Sequence, residues 1–204
     1  MVALERGRPR PHKMVVGIYG GSFNPVHFGH IRLARLIRQQ AHLDEVWFMV
    51  SPQNPFKVNQ VLLDDELRLQ LTRLALRRER GLVASDYEFR LSRPSFTWNT
   101  LQSLSRDYPD RRFTLIIGAD NWAVFPQWYH ADDILAHHRV VVYPRRGYDI
   151  DAATLPDGVS LLSTPLFDIS STDIRERIAN GRPIRRLVPK AVADIIEQRQ
   201  LYKP

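Results

Sequence analysis

The chain of 204 residues has no cysteine. Disulfides, thiolate metal sites and cysteine nucleophiles are therefore excluded, which suits a cytoplasmic protein. Long apolar runs are missing as well. Stretches such as Val46 to Val50 fall far short of a bilayer span. The basic N-terminus lacks the apolar segment of a secretory signal, so no membrane partner is expected. Neither the dinucleotide fingerprint GxGxxG nor the phosphate loop GxxxxGKS/T occurs. The first absence argues against a nicotinamide-dependent dehydrogenase, and together they mean that any phosphate cradle is of another kind. No repeat of 20–50 residues is visible.

The residues that are present describe a globular protein. Hydrophobic residues make up 44% and charged residues 25%, and the length is enough to bury a core in one domain. Lys and Arg number 29 against 22 Asp and Glu, a net charge of +7 that favours anionic partners. Residues 1–13 set Glu5 against Arg6, Arg8, Arg10 and Lys13, and read as a disordered basic extension. Residues 14–204 read as a single domain whose C-terminal part, from about residue 165, is helical. The remaining arginines are scattered and no nucleic-acid-binding motif appears, so no nucleic-acid partner is expected. The composition is compatible with a homo-oligomer.

Apolar runs alternate with helical periodicity. Strands are expected at Val15–Tyr19, Glu45–Val50, Leu82–Ser85, Arg112–Ile117, Arg139–Tyr143 and Val159–Leu162. Helices are expected at Phe28–Gln40, from an Asp64 cap to about Arg78, and at Ser95–Arg106, Ser171–Asn180 and Lys190–Gln198. Strands separated by helices imply parallel crossovers. The fold class is therefore α/β: a Rossmann-like, doubly wound, mainly parallel sheet with helices on both faces. Ligands bind such sheets beyond the carboxyl ends of the strands. The Gly20-Gly21 turn, the loop Ser51–Lys57 and Gly118-Ala119-Asp120 all fall at that edge.

The segment GIYGGSFNPVHFGH, residues 17–30, is the most unusual. The strand is expected to end at Tyr19. Gly20 and Gly21 would then let the main chain turn and approach a ligand with no β-carbon in the way. His27 and His30 lie about 60° apart at the start of the next helix, where free N–H groups favour an anion. Spacing alone leaves three readings: a phosphate cradle, a zinc pair lacking an evident third ligand, and a plain turn with helix caps.

A second motif narrows the choice. His27-Phe28-Gly29-His30 and Ile169-Ser170-Ser171-Thr172-Asp173-Ile174-Arg175 stand about 140 residues apart. Together they resemble the HxGH and ISSTxxR elements of a nucleotidyltransferase superfamily. Further stretches, SPQNPFK (51–57), PSFTWNTL (94–101), IIGADNWAVFPQWY (116–129), YPRRGYD (143–149) and LYK (201–203), are similar to the bacterial nicotinate mononucleotide adenylyltransferases. The resemblance runs from about Val15 to Lys203. It implies adenylyl transfer from ATP to nicotinate mononucleotide, with Mg²⁺ on the substrate phosphates and no metal ligand from protein side chains. Another small-molecule nucleotidyltransferase of the superfamily, acting on phosphopantetheine or nicotinamide mononucleotide, is the alternative; a non-catalytic nucleic-acid-binding module is a remote one.

Roles follow from the resemblance, residue by residue. His27 and His30 contact ATP phosphates, His30 nearest the α-phosphate, and Arg175 clamps a distal phosphate. Gly20, Gly21, Ser22, Phe23, Gly118, Ile169, Ser170, Ser171 and Thr172 line the ATP path, and Asp120 accepts from ribose hydroxyls. Lys57 reaches a substrate phosphate. Phe56 stands where many relatives place a histidine, so that loop has one donor fewer. Phe96, Thr97, Trp128 and Tyr129 form the nicotinate end: Trp128 offers a π face to the cationic ring, and backbone amides near Thr97 and Tyr129 meet the carboxylate. Each role competes with a simpler one, such as a helix cap for His27, a solvated lysine for Lys57 and core aromatics for Trp128 and Tyr129.

Overall fold

The structure, a computed structural model, describes residues 13–52 and 62–203. Of the expected extension at 1–13, residues 1–12 lie outside the described residues, as do the loop positions Phe56 and Lys57. Among those described, six strands form: β1 (Met14–Gly21), β2 (Glu45–Val50), β3 (Leu82–Ser85), β4 (Arg111–Gly118), β5 (Arg139–Tyr143) and β6 (Val159–Leu161). Their order is β3-β2-β1-β4-β5-β6, and every neighbouring pair is parallel. The order reverses direction between β1 and β4, which opens a crevice at their carboxyl ends.

Strand residues alternate between two cores, as a two-residue period requires. Val46, Phe48 and Val50 of β2 face one side with Tyr19 and Ile116. Trp47 and Met49 face the other with Ile18, Leu115 and Ile117. Four helices cover the first face: α1 (Phe28–Gln40), α2 (Asp65–Leu76), α6 (Ser171–Ala179) and α7 (Lys190–Gln198). Helices α3 (Thr97–Asp107) and α5 (Ala131–His137) cover the second, with Leu101, Leu104 and Ile134 inward. Both faces of the sheet are thus dry, and the strands read as near-continuous apolar runs.

Most bounds follow the sequence signals. Ile31, Ala34 and Ile37 of α1 are buried, and Asp64 Oδ1 caps α2 by accepting from Glu66 N and Leu67 N at 3.0 and 3.2 Å. One boundary differs in a way that matters. β1 does not stop at Tyr19: it continues through Gly20 and Gly21, which pair with Met49 and Val50. Parallel pairing satisfies main-chain groups that a turn would have left open. The turn comes afterwards, at Phe23, whose φ is 45°. The one-turn α4 (Ala119–Trp122) and the short α5 escaped the periodicity reading because neither is long enough to show a 3.6-residue repeat.

Candidate active site

Two cavities open at the carboxyl edge, where β1 and β4 diverge. One, about 360 Å³, is lined by the turn after β1, the start of α1, Arg145 and the segment leading into α6. The other, about 400 Å³, lies on the α3 side. Gly20, Gly21, Asn121 and Tyr143 line both. A β-carbon at Gly20 would meet nothing within 4 Å, so it would project into open space at this junction. Bare main chain therefore borders both cavities.

The histidine pair is built into the helix start. His27 is the N-cap of α1. His30 N donates to His27 Nδ1 at 3.4 Å, and His27 N donates to His30 Nδ1 at 3.3 Å. This reciprocal arrangement is a capping box made of two imidazoles. The rings stack with centroids 3.6 Å apart. Because both Nδ1 atoms accept, the ring proton sits on Nε2 in each. Burial, reinforced by the nearby Arg145 charge, lowers the His27 pKa to about 3, so this ring is a neutral N–H donor. Capping and cavity lining are thus compatible: both rings border the 360 Å³ cavity.

The late motif is fastened to the early one. Ser171 Oγ donates to Pro25 O at 2.9 Å, and Arg175 donates through Nη1 to Asn24 O at 2.9 Å. A second Arg175 bond, from Nη2, reaches Thr172 Oγ1 at 3.1 Å. Two of the five guanidinium donors are thereby used in holding the fork at the cavity wall. The cap of α6 is Ser170, whose Oγ accepts from Asp173 N at 3.0 Å, rather than Ser171. Ser170 serves the helix, which leaves Ser171 to tie it to the loop before α1. Ser22, Phe23, Asp120, Ile169, Ser170 and Thr172 line the same cavity, whereas Gly118 lines the α3-side cavity.

Three further polar residues frame the site: Arg145 stands in the YPRRGYD stretch, whereas Arg68 and Glu88 lie in no motif. Arg145 Nε approaches Asp120 Oδ1 at 3.5 Å, and its guanidinium lies 5.3 Å from the Tyr143 ring centroid. Burial pushes the Tyr143 and Tyr19 hydroxyls up, so both stay protonated beside this cation. Arg68 is fully buried in α2 and donates to Leu63 O, Ser22 O and Ser51 O at 2.9, 2.7 and 3.0 Å. It joins the ends of β1 and β2 from beneath. Glu88 borders the α3-side cavity, accepting from Ser51 Oγ at 2.6 Å and Thr100 Oγ1 at 2.9 Å. Burial raises its pKa against these two bonds, which act to lower it. Each takes a contact from far along the chain, Arg68 at Ser22, Glu88 at Ser51 and Arg145 at Asp120, which no local pattern announces.

The α3-side cavity also brings together Phe96, Thr97, Trp128 and Tyr129. The Trp128 ring packs 5.3 Å from Phe125, and Tyr129, half exposed, packs 4.9 Å from Phe96. Helix α3 starts at this wall with N-cap Phe96, which makes no side-chain cap bond. Its first N–H groups are therefore open to a ligand. The Ser95 Oγ is buried there with no hydrogen-bond partner among the described residues. They also contain no group of three or more His, Asp or Glu placed to hold a metal ion.

Comparison with known proteins agrees with this arrangement. Residues 18–177 match the Cytidylyltransferase-like family model. A probable nicotinate-nucleotide adenylyltransferase from Bacteroides fragilis is 48% identical over 88% of this chain and 90% of its own. Its counterpart from Bacteroides thetaiotaomicron is 44% identical over 92% and 93%. Among solved structures, the Plasmodium falciparum nicotinic acid mononucleotide adenylyltransferase complexed with NaAD superposes with a TM-score of 0.77. That match spans 93% of this chain and 97% of the other at 18% identity, a likeness of fold. The chain belongs to the cytidylyltransferase-like family, and within it to the nicotinate-nucleotide adenylyltransferases.

Proposed function

We propose that the protein transfers the adenylyl group of ATP to the 5′-phosphate of nicotinate mononucleotide, releasing pyrophosphate and nicotinate adenine dinucleotide, a step of NAD biosynthesis. The observation that carries this reading is the pair of cavities meeting at the bare main chain of Gly20 and Gly21. One has imidazole, guanidinium and helix N-terminal donors. The other has aromatic walls and an uncapped helix start.

The acceptor's own phosphate oxygen attacks the α-phosphorus as the bond to pyrophosphate breaks. No protein nucleophile or base is needed, so catalysis consists of positioning and charge stabilisation. His27 and His30 donate to the α-phosphate region, and the α1 N-terminus adds its dipole. Arg175, held by Asn24 O and Thr172, meets the departing phosphates. Arg145, across the same cavity, adds a second guanidinium. Mg²⁺ enters as part of the substrate, carried by the ATP phosphates. On the acceptor side, Trp128 stacks the pyridinium ring, and amides at the start of α3 and near Tyr129 receive the carboxylate. On this reading the partners are two nucleotides, met in the cytoplasm.

The test is incubation with ATP, Mg²⁺ and either nicotinate or nicotinamide mononucleotide, with dinucleotide and pyrophosphate measured. A carboxamide would turn its NH₂ toward these amides and leave donors unpaired. Strong preference for the acid is expected; comparable kcat/KM for the two contradicts the assignment.

A further inference from the structure

A third cavity lies at the opposite edge of the sheet, at the amino ends of β1, β4 and β5, roughly 23 Å of strand away from the site above. Its volume is about 790 Å³. Lys13, Arg111, Arg112 and Arg139 line it against a single carboxylate, Asp44. Asp44 is already engaged, since its Oδ2 accepts from Val15 N at 2.7 Å. The twelve residues preceding Lys13 hold three arginines and one glutamate, and so bring no surplus of negative charge.

Helix C-termini gather at this edge, and cations there can simply offset the helix dipoles. Arg139 does that, donating to Ala41 O at 2.9 Å just past α1. The others do not. Arg112 and Lys13 are exposed, and their side chains make no hydrogen bond or ion pair among the described residues. Arg111 is braced against the rings of Trp47 and Tyr108, 5.0 and 4.9 Å from their centroids, with Glu45 3.9 Å away. Its Nε is nonetheless buried with no hydrogen-bond partner among the described residues. A rigidly held arginine with a buried unpaired donor is costly unless an acceptor comes to it.

We propose that this cavity is a second anion site, taking a small, multiply charged phosphate compound. Arginine forks match phosphate oxygens bidentately, and the cationic surplus suits a polyanion better than a monoanion. The probe is inorganic tripolyphosphate, titrated calorimetrically into the full chain at about 0.15 M ionic strength. Two equivalents are expected, one at each edge of the sheet. Lys13→Ser/Arg112→Ser should weaken one of them by at least about tenfold while leaving adenylyl transfer and circular dichroism unchanged. Arg77→Ser/Arg78→Ser, an exposed pair removing the same charge elsewhere, should keep both. CTP in place of tripolyphosphate identifies a nucleotide site if this cavity takes it, and an inorganic one if it takes only tripolyphosphate. A single equivalent in the unaltered protein, two undiminished equivalents in Lys13→Ser/Arg112→Ser, or equal loss in the control pair overturns the proposal.

Discussion

At the scale of single residues, the site depends on neutral donors and fixed cations. On the proposed assignment, His30→Ala is expected to keep a folded circular dichroism spectrum and to lose at least about 10²-fold in kcat, since it would remove a donor aimed at the reacting phosphate. His27 adds a pH signature. Its pKa falls from 6.5 unfolded to about 3 folded, so the unfolded chain binds the extra proton between those values. Stability is then fully present above pH 6.5 and is lost as pH falls toward 3, by at most about 1.4 kcal/mol per pH unit for this group. Burial lowers the His138 pKa as well and acts in the same direction. Denaturant melts at pH 7 and pH 5 check the sign, and His27→Asn, which keeps a capping side chain without a titrating ring, should flatten the dependence. Glu88→Ala leaves the Ser51 hydroxyl without its acceptor and Thr100 Oγ1 with only Phe96 O, at 3.3 Å. It should cost about 1–3 kcal/mol in chemical denaturation. Residues legible in the sequence were those inside contiguous motifs, His27, His30, Ser171 and Arg175. The roles of Arg68 and Glu88 were not, because Ser22 and Ser51, which they hold, lie far away in the chain; Arg145 stood in the quoted YPRRGYD stretch, but nothing there pointed to Asp120.

At the scale of elements, the alternation of apolar runs was enough to place the strands, and β2, β3 and β5 fall on their expected bounds. What remained hidden was how elements are fastened. Glycine signalled a turn, whereas ladder pairing carried β1 through Gly21. The link between α6 and the loop before α1 rests on Ser171 and Arg175 bonding to the carbonyls of Pro25 and Asn24. If Arg175 also grips ATP as proposed, Arg175→Lys should raise the KM for ATP at least about tenfold, because a point charge cannot replace a fork that bonds Asn24 O and Thr172 Oγ1 and a phosphate together. Arg68→Met tests the other fastening. Carbonyls from two strand ends and one loop lose their donor while Asp65 keeps Arg93 at 2.8 Å, so a loss of at least about 1–3 kcal/mol is expected in urea titration.

At the scale of the whole molecule, strand order explains why motifs far apart in sequence meet. The order β3-β2-β1-β4-β5-β6 puts the ends of β1 and β4 side by side, and the chain then returns with α6 and α7 to the face that carries α1. Tyr202 completes the return, donating to Asn24 Oδ1 at 2.9 Å from the far end of the chain. The doubly wound class was legible because β–α alternation has few topological solutions. The division of the crevice into two cavities was not, because it depends on where α3, α4 and the segment before α6 close over the sheet edge. The most direct measurement is a crystal structure with a nonhydrolysable ATP analogue. The account predicts the triphosphate between the α1 N-terminus and Arg175, within hydrogen-bonding distance of His27 and His30. A triphosphate lodged elsewhere, with that cavity empty, contradicts it.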